Sequence, residues 1–120
     1  MKTKNGNIEC TAITCREGNR AIKDALDVLS GSWKLPILAS LSDGKKRFKE
    51  ISREVEGISD KMLSKELKDL ELNHLVNRKV YDTFPPTVEY SVTEHTETLR
   101  DVIIALRDWG TIHRKKITGK

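Results

Sequence analysis

Apolar and polar positions change rhythm several times along the chain. Residues 1 to about 14 hold no sustained period and read as a loose arm. From about Arg16, apolar residues recur at helical steps (Ala21, Ile22, Ala25, Leu26, Val28, Leu29), and Ser30-Gly31 stops the run. Ser32 then stands where it would cap a second helix holding Trp33, Leu35, Ile37, Leu38 and Leu41. Pro36 falls in its first turn, and Asp43-Gly44 closes it. A third helix is expected over about Phe48 to Val55, with Phe48, Ile51 and Val55 facing inward. Glu56-Gly57-Ile58 makes a tight connection. Ser59 then caps a fourth helix that runs to about Asn73, with Leu63, Leu67 and Leu70 as its buried stripe.

The period then shortens to two. Val76 to Tyr81 and Thr87 to Val92 read as strands, joined by a turn over Asp82 to Pro86 that two prolines hold extended. Thr93 is placed to cap a last helix reaching about Arg114. Two helices joined by a short glycine-containing turn and followed directly by a hairpin predict a winged helix-turn-helix. The expected class is α+β, mostly α, with a two-stranded wing and N- and C-terminal dimerisation helices. Its expected parts are an arm (1–15), one DNA-binding and dimerisation domain (16–114) and a basic tail (115–120).

Charge sharpens this picture. Against 18 Asp and Glu stand 22 Lys and Arg, a net charge of +4. That permits a polyanionic partner without demanding one. Its distribution says more. Lys61, Ser64, Lys65 and Lys68 share one face of the fourth helix, while Ser59, Asp60 and Lys61 lie at its N-terminal end, where such proteins touch bases. Asp60, Glu66, Asp69 and Glu71 outnumber the three lysines, so the helix is not net basic; on its own it would read as a solvated face. The hairpin that follows shifts the balance. It offers Arg78 and Lys79 on one strand and Thr83 and Thr87 around the tip, and Lys45, Lys46, Arg47 and Lys49 form a third basic cluster. The DNA-contacting set expected from the sequence is Ser59, Lys61, Met62, Ser64, Lys65, Lys68, Arg78, Lys79, Thr83, Thr87, Lys45 and Lys46.

The last helix carries Leu99, Val102, Ile103, Leu106 and Trp109 in a heptad-like stripe, extended by Ile112. Together with Ile22, Ala25 and Leu29 of the first helix it is the expected homodimer interface. No apolar run long enough to span a membrane and no secretory leader are apparent, so a cytoplasmic protein is expected. A structural disulfide is not expected in that compartment. Cys10 and Cys15 read most plainly as two incidental thiols on the arm, with a redox switch as the alternative. His74, His95 and His113 are scattered, so neither a metal site nor a cofactor is expected, and no catalytic motif occurs.

Several blocks of the chain resemble the HxlR-type winged helix regulators of bacteria and archaea. The first block is Asp27-Val28-Leu29-Ser30-Gly31-Ser32-Trp33-Lys34. The central blocks are Arg47-Phe48-Lys49-Glu50-Ile51, then Gly57 to Leu63, then Lys68-Asp69-Leu70-Glu71. Pro85 to Thr93 is similar to the family's wing and return strand, and Asp108-Trp109 to its closing helix. The resemblance implies a homodimer that binds operator double-stranded DNA and represses or activates nearby genes. Some members sense oxidants through a cysteine just before the first block. Here the nearest, Cys15, lies twelve residues before Asp27; Thr87 replaces a frequently basic residue after Pro85-Pro86, and Thr96 replaces the usual glycine after the return strand. Operator, target genes and any small-molecule or redox effector are not written in these residues. A protein-docking winged helix and a non-specific architectural DNA binder are the alternative functions.

Overall fold

The computed structural model describes residues 15–119 and divides into two compact units, Met1–Gly31 and Ser32–Lys120. In the first, helix α1 spans Arg16–Leu29. Its N-cap is Cys15, whose Sγ accepts from the Gly18 N–H at 3.3 Å, and Glu17 in the first turn complements the helix dipole. Cys15 is disulfide-bonded. That corrects the expectation of incidental free thiols, which rested on compartment alone and took no account of geometry. Cys10 lies outside the described residues. Ile22, Ala25 and Leu26 of α1 are exposed, and Val28 and Leu29 are half-buried.

The second unit begins with α2 (Lys34–Leu41). Trp33, not Ser32, is its N-cap, and no side chain bonds the first turn. Pro36 is the third helical residue and has no N–H, so one of the donors that a capping hydroxyl serves is missing. A two-residue strand, β1 (Lys46–Arg47), leads into α3 (Phe48–Glu54). Gly57, at φ +87°, turns the chain between α3 and the next helix, α4 (Asp60–Leu72). Strands β2 (Val76–Tyr81) and β3 (Thr87–Val92) follow with the bounds the alternation predicts. A 3-10 turn (His95–Leu99) precedes α5, which spans Arg100–Thr118 and so runs on past Arg114.

The sheet is antiparallel with order β1-β3-β2. β3 is thus central, pairing Tyr90 with both Lys46 and Arg78. The wing is therefore two long strands with a short third one at its root, one more than the sequence pattern indicates. Beneath it, Ile37, Leu38 and Leu41 of α2 meet Ile51 and Val55 around α3, Leu63, Leu67 and Leu70 of α4, and Val76, all buried. Every leucine of the α4 stripe is 1% exposed or less, so the opposite face of that helix is left to solvent.

The junction between α4 and the wing is pinned by hydrogen bonds. His74 sits at φ +62° just past the helix, and Leu75 N–H closes back on Leu70 O at 2.9 Å. Thr93 Oγ1 donates to His74 O at 2.7 Å, and Thr96 Oγ1 donates to Leu75 O at 2.5 Å. Thr93 does not cap the last helix as the sequence suggests: Glu94 is the N-cap of the 3-10 turn and Leu99 that of α5, while Thr93 Oγ1 accepts from Thr96 N–H at 3.2 Å. The end of the return strand is in this way tied to the C-terminal end of α4.

Candidate nucleic-acid interface

Ser59 accepts from Met62 N–H at 3.1 Å and fixes the start of α4, with Asp60 in its first turn. Lys61, Ser64, Lys65 and Lys68 are exposed, while Met62 is half-buried. Because the leucine stripe anchors the other side, this row points outward from the core as the helical spacing predicts. Lys65 makes a surface ion pair with Asp69 at 3.7 Å, an interaction weak enough to yield to a phosphate.

Arg78 reaches the same surface from the wing. Ser64, Lys68 and Glu71 of α4, Arg78 of β2 and Tyr90 of β3 line one open hollow of about 360 Å³. Helix and wing therefore converge there. Lys79 lies over the Tyr81 ring, 4.9 Å from its centroid, which holds its charge near the hairpin. At the tip, Thr83 Oγ1 donates to Pro85 O at 2.8 Å and bonds Thr87 Oγ1 at 3.1 Å, so both threonines serve the turn itself. Phe84 projects fully into solvent beside them.

The basic cluster ahead of α3 splits in two. Lys45 is exposed and lies 3.6 Å from Glu89. Lys46 differs: its side chain is 12% exposed, and its ammonium donates to Ser40 O, to Asp43 Oδ1 at 2.8 Å and to Glu54 Oε1 at 2.7 Å. Those bonds brace the loop between α2 and β1. The carboxyls of Asp43 and Glu54 are held below their ordinary range by the Lys46 hydrogen bond. For Lys46, burial pushes the pKa down, but the hydrogen bonds to Asp43 and Glu54 outweigh it and the net shift is upward. Arg47, Lys49 and Arg53 line a second, open hollow against Pro85 to Val88 at the wing tip.

Tyr90, Phe84 and Arg53 were not among the residues expected from the sequence. Arg53 had a signal, standing one helical turn after Lys49; Tyr90 and Phe84 take their positions from strand register and turn geometry. The expected dimer residues are on the surface to differing degrees. Ile22 is 48% exposed on α1; on α5, Val102, Leu106 and Trp109 are exposed and Ile103 is half-buried, and Leu99, which the structure places in the 3-10 turn just before α5, is half-buried too. Among the described residues no cluster of His, Cys, Asp and Glu could hold a metal ion, and no helix is long and apolar enough to cross a membrane.

A tight helix-turn-helix followed by a hairpin defines the winged helix-turn-helix class, with α4 in the recognition position. The HxlR-like helix-turn-helix family model matches residues 28–118. The chain belongs to that family, whose members are transcriptional regulators and not enzymes. It is 41% identical over 96 residues to YdeP of Bacillus subtilis, an uncharacterized HTH-type transcriptional regulator, covering 80% of this chain and 75% of that protein. An HTH-type regulator of Methanothermobacter thermautotrophicus is 39% identical over 93 residues, covering 78% of this chain and 71% of its own. Among solved structures, the redox regulator HypR in its reduced form aligns with a TM-score of 0.77 at 37% identity, over 83% of this chain and 99% of that one.

Proposed function

We propose that this HTH-type regulator acts as a homodimer on specific double-stranded DNA, with α4 in the major groove and the wing on the flanking minor groove or its phosphates. The observation that carries this reading is the shared hollow where Ser64 and Lys68 of α4 meet Arg78 of β2. Cations from two elements on one surface suit a duplex, which presents phosphates along both edges of a groove. Ser59, Lys61, Met62 and Lys65 extend the surface along α4; Lys79, Thr83 and Thr87 extend it along the wing, and Lys45 flanks it. Lys46 is assigned to bracing the loop, since three acceptors already hold its ammonium.

Exposed and half-buried apolar residues support dimerisation through Leu99 and α5 (Val102, Ile103, Leu106, Trp109) together with Ile22, Ala25 and Leu29 of α1. A two-fold dimer would set its two recognition helices roughly 34 Å apart, one DNA turn. The effector we favour is a redox signal. HypR is a redox regulator solved in oxidised and reduced forms, and Cys15 of this chain is disulfide-bonded at the cap of α1. Action on DNA places the protein in the cytoplasm.

Fluorescence anisotropy against the DNA upstream of the protein's own gene and a scrambled duplex tests the reading. Lys65→Ala should weaken binding to the upstream duplex more than to the scrambled one, and Arg78→Ala should weaken both. Wild-type affinity in both variants would mean that the DNA face lies elsewhere.

A further inference from the structure

Helix α4 has a charge problem as a DNA-reading element. Its acids, Asp60, Glu66, Asp69 and Glu71, outnumber Lys61, Lys65 and Lys68, so in isolation it would be repelled by phosphates. The deficit is made good from another helix. Lys34, the first residue of α2, has a side chain only 10% exposed, and its ammonium donates to Glu66 Oε1 at 2.5 Å. The same ammonium lies 3.7 Å from Asp69 Oδ2, and Lys65 lies 3.7 Å from that oxygen on the other side. Glu66 is buried still more deeply than Lys34, at 7%. One sequestered cation thus faces two of the four acids of the helix.

Stability gives a poor account of this pair. Taking both charges out of water is expensive, and an apolar pair of similar volume commonly packs as well or better. Electrostatics gives a better one. We propose that Lys34 is a positioning residue of the DNA interface: it neutralises buried Glu66 and shares with Lys65 the carboxylate of Asp69 at the flank of the row, so that the helix presents Lys61, Lys65 and Lys68 as a net basic row. With Asp69 shared, Lys65 can leave it for a phosphate without stranding a carboxylate beside the DNA. This inference rests on the assignment of α4 to DNA, and the test separates the two.

The test uses the full chain and the upstream duplex in an anisotropy salt series, with urea unfolding of each variant run alongside. Lys34→Met should lower affinity about tenfold, the effect of one uncompensated charge near the interface. The slope of log K against log salt should stay at the wild-type value, because Lys34 touches no phosphate. Arg78→Ala, by contrast, should reduce that slope by about one. Lys34→Met/Glu66→Leu removes both charges and should bind within about threefold of wild type. Asp69→Asn, at a half-exposed position that leaves the buried pair in place, should bind more tightly than wild type.

A folded Lys34→Met that binds like wild type, or one whose slope falls by about one, overturns the proposal. A double variant no tighter than Lys34→Met does the same, since the pair would then act by orientation alone. If Lys34→Met does not fold, Asp69→Asn decides: tighter binding supports the charge account, and unchanged or weaker binding overturns it. Wild type that binds no duplex at low salt sinks the DNA reading itself, a result distinct from all of these.

Discussion

Replacing Thr96 by valine keeps the shape of a buried side chain and removes one hydroxyl. That hydroxyl donates to Leu75 O at 2.5 Å and lies 3.1 Å from Thr93 Oγ1, in a residue that is 5% exposed. Leu75 O keeps one other donor, the Thr93 N–H at 3.2 Å, so the carbonyl is not orphaned. The loss is then that of a net buried hydrogen bond plus the poorer solvation of Thr93, about 1–2 kcal/mol. For a domain of this size each kcal/mol moves Tm by about 4–8 °C. Thermal unfolding followed by far-UV circular dichroism, at one fixed protein concentration, should show a drop of about 4–16 °C. Urea unfolding should place the change in the midpoint and leave the m-value alone. Hydrogen exchange should speed up at Leu75 and Thr93 more than in α2. A variant within about 0.3 kcal/mol of wild type would refute the argument, because a buried hydroxyl with that geometry cannot be neutral unless water replaces it.

Three further outcomes are expected. The bonds of Lys46 to Asp43 and Glu54 should stabilise the fold at neutral pH and fade at both extremes. The two carboxyls titrate below their ordinary range when folded, so their share is lost as pH falls through those lowered values; Lys46 titrates above its ordinary value, so its share is lost as pH rises through that raised value. Urea midpoints of wild type and Lys46→Met should therefore converge in acid, and a gap independent of pH would contradict the brace. Trp109→Ala, which removes an exposed ring stacked 4.8 Å from that of His113, should shift sedimentation from dimer to monomer; an undisturbed dimer would move the interface off α5. Reduction of the wild type, or Cys15→Ser, should change affinity for the upstream duplex severalfold, whereas identical binding in both redox states would leave Cys15 a structural cap.

Much of this architecture can be read from local pattern. The bounds of β2 and β3 follow from their alternation, and α4 follows from the Ser59 cap and the leucine stripe, because each signal lies within a few residues of its consequence. Features that depend on distant partners are not legible in that way. The strand β1 exists only because Lys46 and Arg47 pair with Tyr90 and Glu89. A Lys-Lys-Arg run looks like a solvated basic patch, and nothing local distinguishes the exposed Lys45 from Lys46, which is wrapped in acceptors. Ser32 is a good capping residue in isolation, yet Trp33 occupies the cap. The excess of acids on α4 is visible in the sequence, but its remedy is Lys34, 32 positions away from Glu66. Likewise Thr96 stands out as a departure from the family's glycine, and only the Leu75 carbonyl opposite it gives that threonine a task.

The central claim is that α4 and the wing form one DNA-binding surface around Ser64, Lys68 and Arg78. A double-mutant cycle on Lys68→Ala and Arg78→Ala, read by anisotropy across a salt series, tests it most directly. Each single variant should lower the salt slope by about one, and the pair should lower it by about two, as expected for two phosphate contacts on one duplex. Slopes unchanged from wild type in all three, with the fold intact, would contradict a shared surface and return the wing and α4 to separate roles.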